Sequence, residues 1–197
     1  MIRRVAIVGA GLAGLACARV LRRAGCSVEV FEQERIIGGR MATTRVAMTP
    51  FDHGAQYVTA RSGLFASYID ELRTARYLTR WMPTTSSGEG KGQMLPWYVG
   101  TPGMSSIVRP LAEGVRLTTS RRVYALARGR EGWTLTFEDG TSAGPFHGVA
   151  LTLPAHEAQL LLGRYPEIGN AIGRAVMAPC WSLTVRLDER TFPAQDV

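Results

Sequence analysis

Lysine is almost missing from this chain. Of 23 basic residues among 197, 22 are arginine and the single lysine is Lys91. The arginines run from Arg3 to Arg190 without a dense cluster, which excludes a lysine-rich tail and leaves a net charge of +7 as a mild, spread-out field. Such a field suits anionic small molecules as well as nucleic acid, but aromatics are not interleaved with a basic stripe and no recognition motif appears, so nucleic-acid binding has only charge in its favour. Cysteine is scarce too: Cys17, Cys26 and Cys180 are odd in number, with no Cys-x-x-Cys pair and no histidine at ligand spacing. This excludes a disulfide framework and a structural zinc site. Cys17 lies in an apolar helical stretch and is expected as a buried reduced thiol, hence a reducing, cytoplasmic compartment. Long apolar runs are lacking as well. The stretch from Met1 to Leu21 imitates a secretory signal, but Gly9, Gly11, Gly14 and Arg19 interrupt it, and no membrane span is found. What remains, 46% hydrophobic and 20% charged residues, is the composition of an ordinary globular protein of one or two domains.

Arg4-Val5-Ala6-Ile7-Val8 is a short β-branched run, and Leu12 to Ala24 follows with helical spacing at Leu12, Leu15, Ala16, Val20 and Leu21 until Gly25 stops it. Ser27 to Glu32 reads as a second strand, so the opening is a βαβ unit with parallel strands. Ser62 to Leu72 predicts an amphipathic helix, Pro83 to Gly92 has loop composition, and Gly103 to Ala112 has helical patterning despite Pro110. Four β-rich runs, Val115 to Thr119, Arg121 to Ala127, Trp133 to Glu138 and Val149 to Leu153, predict a β-meander before a return strand, with a hairpin turn at Asp139-Gly140. Ala155 to Leu162 predicts a short helix, and Trp181 to Asp188 alternates like a strand of a second sheet. No internal repeat is present.

The chemistry begins at the first turn. Gly9-Ala10-Gly11-Leu12-Ala13-Gly14 is a Gly-x-Gly-x-x-Gly set that follows a strand and opens a helix, the context a dinucleotide-binding turn requires. Gly9 permits the tight turn, Gly11 lets backbone approach a pyrophosphate, and Gly14 lets the helix pack close to the strand, while amides and the helix dipole face the anion. Glu32 ends the second strand 18 residues after Gly14, where a carboxylate accepts hydrogen bonds from an adenosine ribose and repels a 2′-phosphate. These residues point to FAD or NAD. Beyond them, Ile36-Ile37-Gly38-Gly39-Arg40 supplies a glycine pair that folds the chain back over the cofactor and an arginine able to neutralise pyrophosphate charge.

The segment Glu32 to Arg40 resembles the Gly-Gly-Arg extension of flavoproteins of the amine oxidase type, which makes FAD the leading cofactor. Phe51 to Thr59 and Tyr98 to Ile107 look like segments of renalases and bacterial renalase-like oxidoreductases, as do Leu151 to Ala155 and Pro179-Cys180-Trp181. The resemblance implies hydride transfer from dihydronicotinamide nucleotides, isomeric forms included, to a flavin and then to O2, giving NAD(P)+ and hydrogen peroxide. It further implies that Ala13 and Arg40 contact FAD phosphates, that Gln56 and Tyr57 lie near the flavin ring, and that Val123 meets the adenine through its backbone. Gln56 and Tyr57 read equally well as structural residues of a turn, and His53 reads as a hydrogen-bonded structural histidine. Trp81, Trp97 and Tyr98 suit a substrate-pocket wall or a core, and Arg61 or Arg109 suit an anionic substrate or plain solvent exposure. No Ser/His/Asp or Cys/His arrangement appears, and no catalytic residue is assigned, because a cofactor that carries the hydride needs positioning rather than a nucleophile.

The expected fold is α/β: an FAD/NAD(P)-binding Rossmann-like doubly wound parallel sheet with a β-meander insertion, plus a second, incomplete α+β substrate domain. The nucleotide-binding part is expected over 1–60 and 110–155, and the substrate part over 61–109 and 156–197. By the resemblance a last FAD-binding segment, a Gly-Asp strand and the start of a long helix, lies well beyond residue 197, so weak FAD retention is expected. The alternatives are an amine oxidase or desaturase of the same superfamily, and a catalytically inactive dinucleotide-binding fragment.

Overall fold

The computed structural model describes residues 2–82 and 95–186. Its elements begin with β1 (Arg4–Val8), α1 (Leu12–Arg23), β2 (Ser27–Phe31), β3 (Thr43–Val46), β4 (Thr49–Asp52), α2 (Gly63–Thr74), β5 (Leu78–Trp81) and β6 (Trp97–Gly100). They continue with α3 (Arg109–Ala112), β7 (Arg116–Thr118), β8 (Val123–Arg128), β9 (Trp133–Phe137), β10 (Ser142–Phe146), β11 (Gly148–Leu151), α4 (Ala155–Leu161) and α5 (Pro166–Ile172). Single 3-10 turns stand at Gly39–Met41 and Met104–Ile107. The chain parts into two compact units, residues 1–39 with 108–180 and residues 40–107 with 181–197.

The first unit is a Rossmann-like α/β fold. Its sheet has the order β11-β1-β2-β7, every pair parallel, with Val8 opposite both Phe31 and Leu151. Alternate residues of a strand point to opposite faces, so Ala6, Val8 and Phe31 meet one layer while Ile7 and Val30 turn to the other. On the first face lies an antiparallel meander, β8-β9-β10, whose Val123, Leu126, Leu135, Phe137 and Phe146 close an apolar core with Ala6, Val8 and Phe31. Phe31 packs tilted on Phe137 and edge-on to Phe146, with centroids 5.1 and 6.1 Å apart. On the opposite face α1 buries Gly14, Leu15 and Ala18. It ends in a Schellman motif: Gly25, at φ +80°, donates to the carbonyl of Arg22, and Cys26 to that of Leu21.

The second unit is α+β. It holds two hairpins, β3-β4 and β5-β6, and the helix α2. Ser62 caps α2 by accepting a hydrogen bond from the amide of Phe65, at the start of the predicted helix.

The structure corrects several sequence expectations. The run 115–119 does not belong to the meander; β7 pairs in parallel with β2, and the meander's third strand is β10, which Gly144 and Pro145 hide from any β-propensity reading. The patterned stretch Gly103 to Ala112 is two single turns broken at Val108, because Pro110 has no N–H to carry a helix through. Residues 181–186 form no strand, and Trp181 and Leu183 are exposed; among the described residues no strand pairs with them. Cys17 is half-buried rather than fully buried, and its partial burial still pushes the thiol pKa up. The loop expected at Pro83 to Gly92 lies outside the described residues. No described helix is long and apolar enough to cross a membrane.

Candidate cofactor site

The C-terminal ends of β1 and β2 carry the site in the first unit. Gly9 leaves β1 at φ +104°, a conformation an L side chain rarely adopts, and its amide donates to the carbonyl of Phe31 at 2.8 Å. A Cβ on Gly14 would stand 2.0 Å from the carbonyl oxygen of Gly9, which is why only glycine lets α1 start so close to the strand. Gly11 is different. A Cβ there would meet only the carbonyl of Gly38, at 3.8 Å, so the space over Gly11 is open.

Gly11 is also the N-cap of α1, with no side-chain cap and no acidic residue in the first turn. The first turn, Leu12, Ala13 and Gly14, therefore has no side-chain cap and no acidic residue of its own to offset the positive end of the helix. Glu32 stands beside it, 7% exposed, its Oε2 accepting from the amide of Ala10 at 2.7 Å and its Oε1 from the amide of Glu34 at 3.0 Å. Each carboxylate oxygen has a second lone pair, so both keep room for a ribose hydroxyl. The glycine pair closes the arrangement from the other side. Gly38, at φ +123°, bridges to Gly11 and donates its amide to the carbonyl of Ala10 at 3.0 Å, and a Cβ on Gly39 would stand 3.5 Å from the Cα of Gly11.

Val123 opens β8 and is buried in the core beside Phe137. Two residues before it, the amide of Arg121 donates to the backbone carbonyl of Glu32 at 2.8 Å, which ties the start of β8 to the acidic residue.

Arg40, Gln56 and Tyr57 belong to the second unit. The backbone of Arg40 is gripped there: its carbonyl accepts from the amide of Ala55 at 2.8 Å, and a Cβ on Gly54 would stand 2.1 Å from that oxygen. Gln56 is exposed, and Tyr57 stacks on Trp97 with centroids 3.9 Å apart and planes 1° from parallel, Trp81 tilted against both. His53 is exposed, its Nδ1 3.4 Å from the hydroxyl of Thr44. Asp52 ties two of the recognised segments together: its Oδ1 accepts from the hydroxyl of Thr43 at 2.5 Å and from the amide of Met104 at 3.0 Å. Among the described residues no three His, Cys, Asp or Glu side chains are arranged to hold a metal ion.

The first unit thus gathers Gly9, Ala10, Gly11, Leu12, Ala13, Gly14, Glu32 and Gly39 around one turn. Gly38 joins them, as the glycine pair predicts. Thr152, whose hydroxyl lies 3.1 Å from the carbonyl of Gly9, stands in the predicted return strand and in the segment Leu151 to Ala155, but nothing local in the sequence assigns it to the turn.

Comparison with known proteins gives the family. An NAD(P)-binding Rossmann-like domain family matches residues 7–72, and the family described as flavin containing amine oxidoreductase matches residues 84–196. This chain belongs to the flavin containing amine oxidoreductase family. Its cofactor is FAD. Among its relatives are the renalase of Mus musculus, 31% identical over 173 residues, and AofH of Mycobacterium tuberculosis, named as a flavin-containing monoamine oxidase, 37% identical over 94 residues. Those alignments take in 81% and 44% of this chain, which spans only 49% of the renalase and 21% of AofH. A crystal structure named as a protoporphyrinogen oxidase, from Exiguobacterium, superposes with a TM-score of 0.65 at 14% identity, covering 85% of this chain and 63% of that one. At that identity the likeness speaks for the fold.

The residues present fit such a cofactor. An uncapped helix N-terminus, an open face over Gly11 and a buried carboxylate with spare acceptors are the complements of a pyrophosphate and a ribose.

Proposed function

We propose that this chain carries the FAD-binding part of a renalase-like oxidoreductase acting on dihydronicotinamide nucleotides, isomeric forms included. The observation that carries the reading is the extent of the likeness to mouse renalase, 173 residues and 81% of this chain, against 94 residues for AofH. Bound FAD supplies a hydride acceptor that O2 reoxidises, so the balance is NAD(P)H, a proton and O2 to NAD(P)+ and hydrogen peroxide. The chain's own residues bind and orient. When FAD is bound, the first turn of α1, with Ala13, would hold the pyrophosphate, Glu32 would take the ribose hydroxyls and the backbone at Val123 would meet the adenine; Arg40 would be a phosphate contact by its role in the resemblance. Gln56 and Tyr57 would lie near the flavin ring, and the stack of Tyr57 on Trp97 supports a fixed aromatic surface for it.

Assigning FAD binding to 1–60 with 110–155 and the substrate to 61–109 with 156–197 is part of the proposal. It groups Arg40, Gln56 and Tyr57 with the nucleotide site by role, although the compact units divide at 39/40. A cytoplasmic location is part of it as well, supported by the half-buried thiols Cys17 and Cys26.

The test is aerobic turnover of FAD-loaded chain on isomeric dihydronicotinamides, following nucleotide absorbance and peroxide together. One peroxide per nucleotide oxidised is expected. The second reading, an amine oxidase or desaturase, has the 37% identity to AofH in its favour. Oxidation of a primary amine without any response to dihydronicotinamides would replace the first reading with it, and ADP binding without flavin reduction would make the chain an inactive binding fragment.

A further inference from the structure

We infer that Thr152 is a positioning residue for the dinucleotide turn, acting with Glu32 as a two-sided clamp on the peptide unit that joins Gly9 to Ala10. The inference rests on the reading of that turn as the cofactor site. In a trans peptide the N–H and C=O point to opposite sides of the chain. Here the N–H of Ala10 donates to Glu32 Oε2 at 2.7 Å, and the C=O of Gly9 accepts from the hydroxyl of Thr152 at 3.1 Å. The two side chains, 120 residues apart in sequence, hold the two ends of one planar unit.

The Thr152 hydroxyl has two carbonyl acceptors within reach. It lies 2.9 Å from the carbonyl of Val8, which also accepts the amide of Thr152 at 2.9 Å, so the single hydroxyl hydrogen is shared between Val8 and Gly9. A Cβ on Gly14 would stand 2.7 Å from this hydroxyl, and one on Gly9 2.9 Å from it, which puts Thr152 directly beneath the point where strand, turn and helix meet.

The need for a clamp follows from the glycines. Gly9 carries φ +104° without steric preference for it, so its peptide can rotate at small cost, and every rotation re-aims the amides that follow. The flanking bonds, Gly9 amide to Phe31 and Gly38 amide to the carbonyl of Ala10, and the carboxylate on the N–H end leave the C=O end of the unit as the part free to tilt. The hydroxyl on the opposite side removes that freedom before the ligand arrives, and an ordering cost already met in the apo chain is not charged to binding. Thr152 touches the backbone rather than the ligand, so its effect reaches the cofactor only through Gly9.

The experiment measures equilibrium binding of FAD and of ADP to the full chain, to Thr152→Val, which keeps shape without the hydroxyl, and to Thr152→Ser, which restores it. Loss of one hydrogen bond predicts affinity about 3- to 10-fold weaker for both ligands in Thr152→Val, with Thr152→Ser within about twofold of the wild type. Combined with Glu32→Gln, Thr152→Val should lose less than the product of the two single losses, since a peptide released at one end is poorly held at the other. If the valine variant melts below the assay temperature, Thr152→Ala set against Thr152→Ser makes the same comparison. Wild-type affinity in Thr152→Val, or a serine variant as weak as the valine, overturns the clamp. A wild-type chain that binds neither FAD nor ADP overturns the cofactor reading and the clamp with it.

Discussion

Gly14 lies against the carbonyl of Gly9 so closely that a methyl group on it would stand 2.0 Å from the oxygen, whereas the same group on Gly11 would meet nothing nearer than 3.8 Å. The fold requires the first glycine; the proposed ligand site calls for the second. Gly14→Ala is expected to cost about 1–3 kcal/mol of stability through overpacking. Gly11→Ala, at an ordinary φ of −77°, should stay within about 1 kcal/mol of the parent, as expected for an N-cap exchange. Its loss should instead appear in FAD and ADP affinity. Thermal unfolding and titration calorimetry on the pair separate the two; equal melting points and equal affinities in both variants would refute the distinction.

Glu32 serves the chain, and in the proposed function the cofactor as well. Glu32→Ala strands the amides of Ala10 and Glu34 and removes the ribose acceptor, so about 1–3 kcal/mol of stability and about ten- to 150-fold of FAD affinity should go together. Glu32→Gln keeps a neutral acceptor for Ala10 and should recover more stability than affinity. Denaturant titration beside FAD binding checks the split.

Gly54 is the packing counterpart of Gly14 in the second unit. Gly54→Ala would drive a methyl group to 2.1 Å from the carbonyl of Arg40, and about 1–3 kcal/mol of destabilisation is expected, with weaker FAD binding if Arg40 reaches the pyrophosphate. Gly63→Ala is the control. It has nothing within 4 Å in the first turn of α2 and should gain about 0.4–1 kcal/mol.

Asp139 gives the hairpin between β9 and β10 an acid limit. Hydrogen bonds from Thr141, through its hydroxyl at 2.6 Å and its amide at 3.0 Å, hold the carboxyl below its usual range, and the Arg121 guanidinium adds to this. With the folded pKa lowered, the unfolded chain takes up the proton first. The stabilisation is therefore complete above the unfolded value of about 3.9 and is lost as pH falls through the folded one. Asp139→Asn should flatten that acid limb, by a small amount because the carboxylate is exposed. Chemical denaturation from pH 7 downward, parent against variant, tests it; curves that stay parallel below pH 4 would contradict the assignment.

The first strand, α1 and β2 were legible from residues 4–32 because every signal there is local: β-branched runs, 3.6-residue spacing, and glycines where a turn needs them. Glu32 was legible for the same reason, standing at a set distance from the glycines on the neighbouring strand. Partners were not legible. Val115 to Thr119 reads as a strand equally well in a meander or in the parallel sheet, and only its pairing with β2 decides; Trp181 to Arg186 has strand alternation, yet alternation supplies no hydrogen-bond partner. Ser142–Phe146 became a strand because β9 offered a ladder and the core took Phe146, against the preference of Gly144 and Pro145. By itself the sequence determined the nucleotide turn and its acidic neighbour, since dihedral preference and periodicity act between residues near in the chain. Which side chain would hold that turn from beneath was decided by tertiary structure alone, because the hydroxyl of Thr152 reaches the carbonyl of Gly9, 143 positions away, only once β11 has paired with β1.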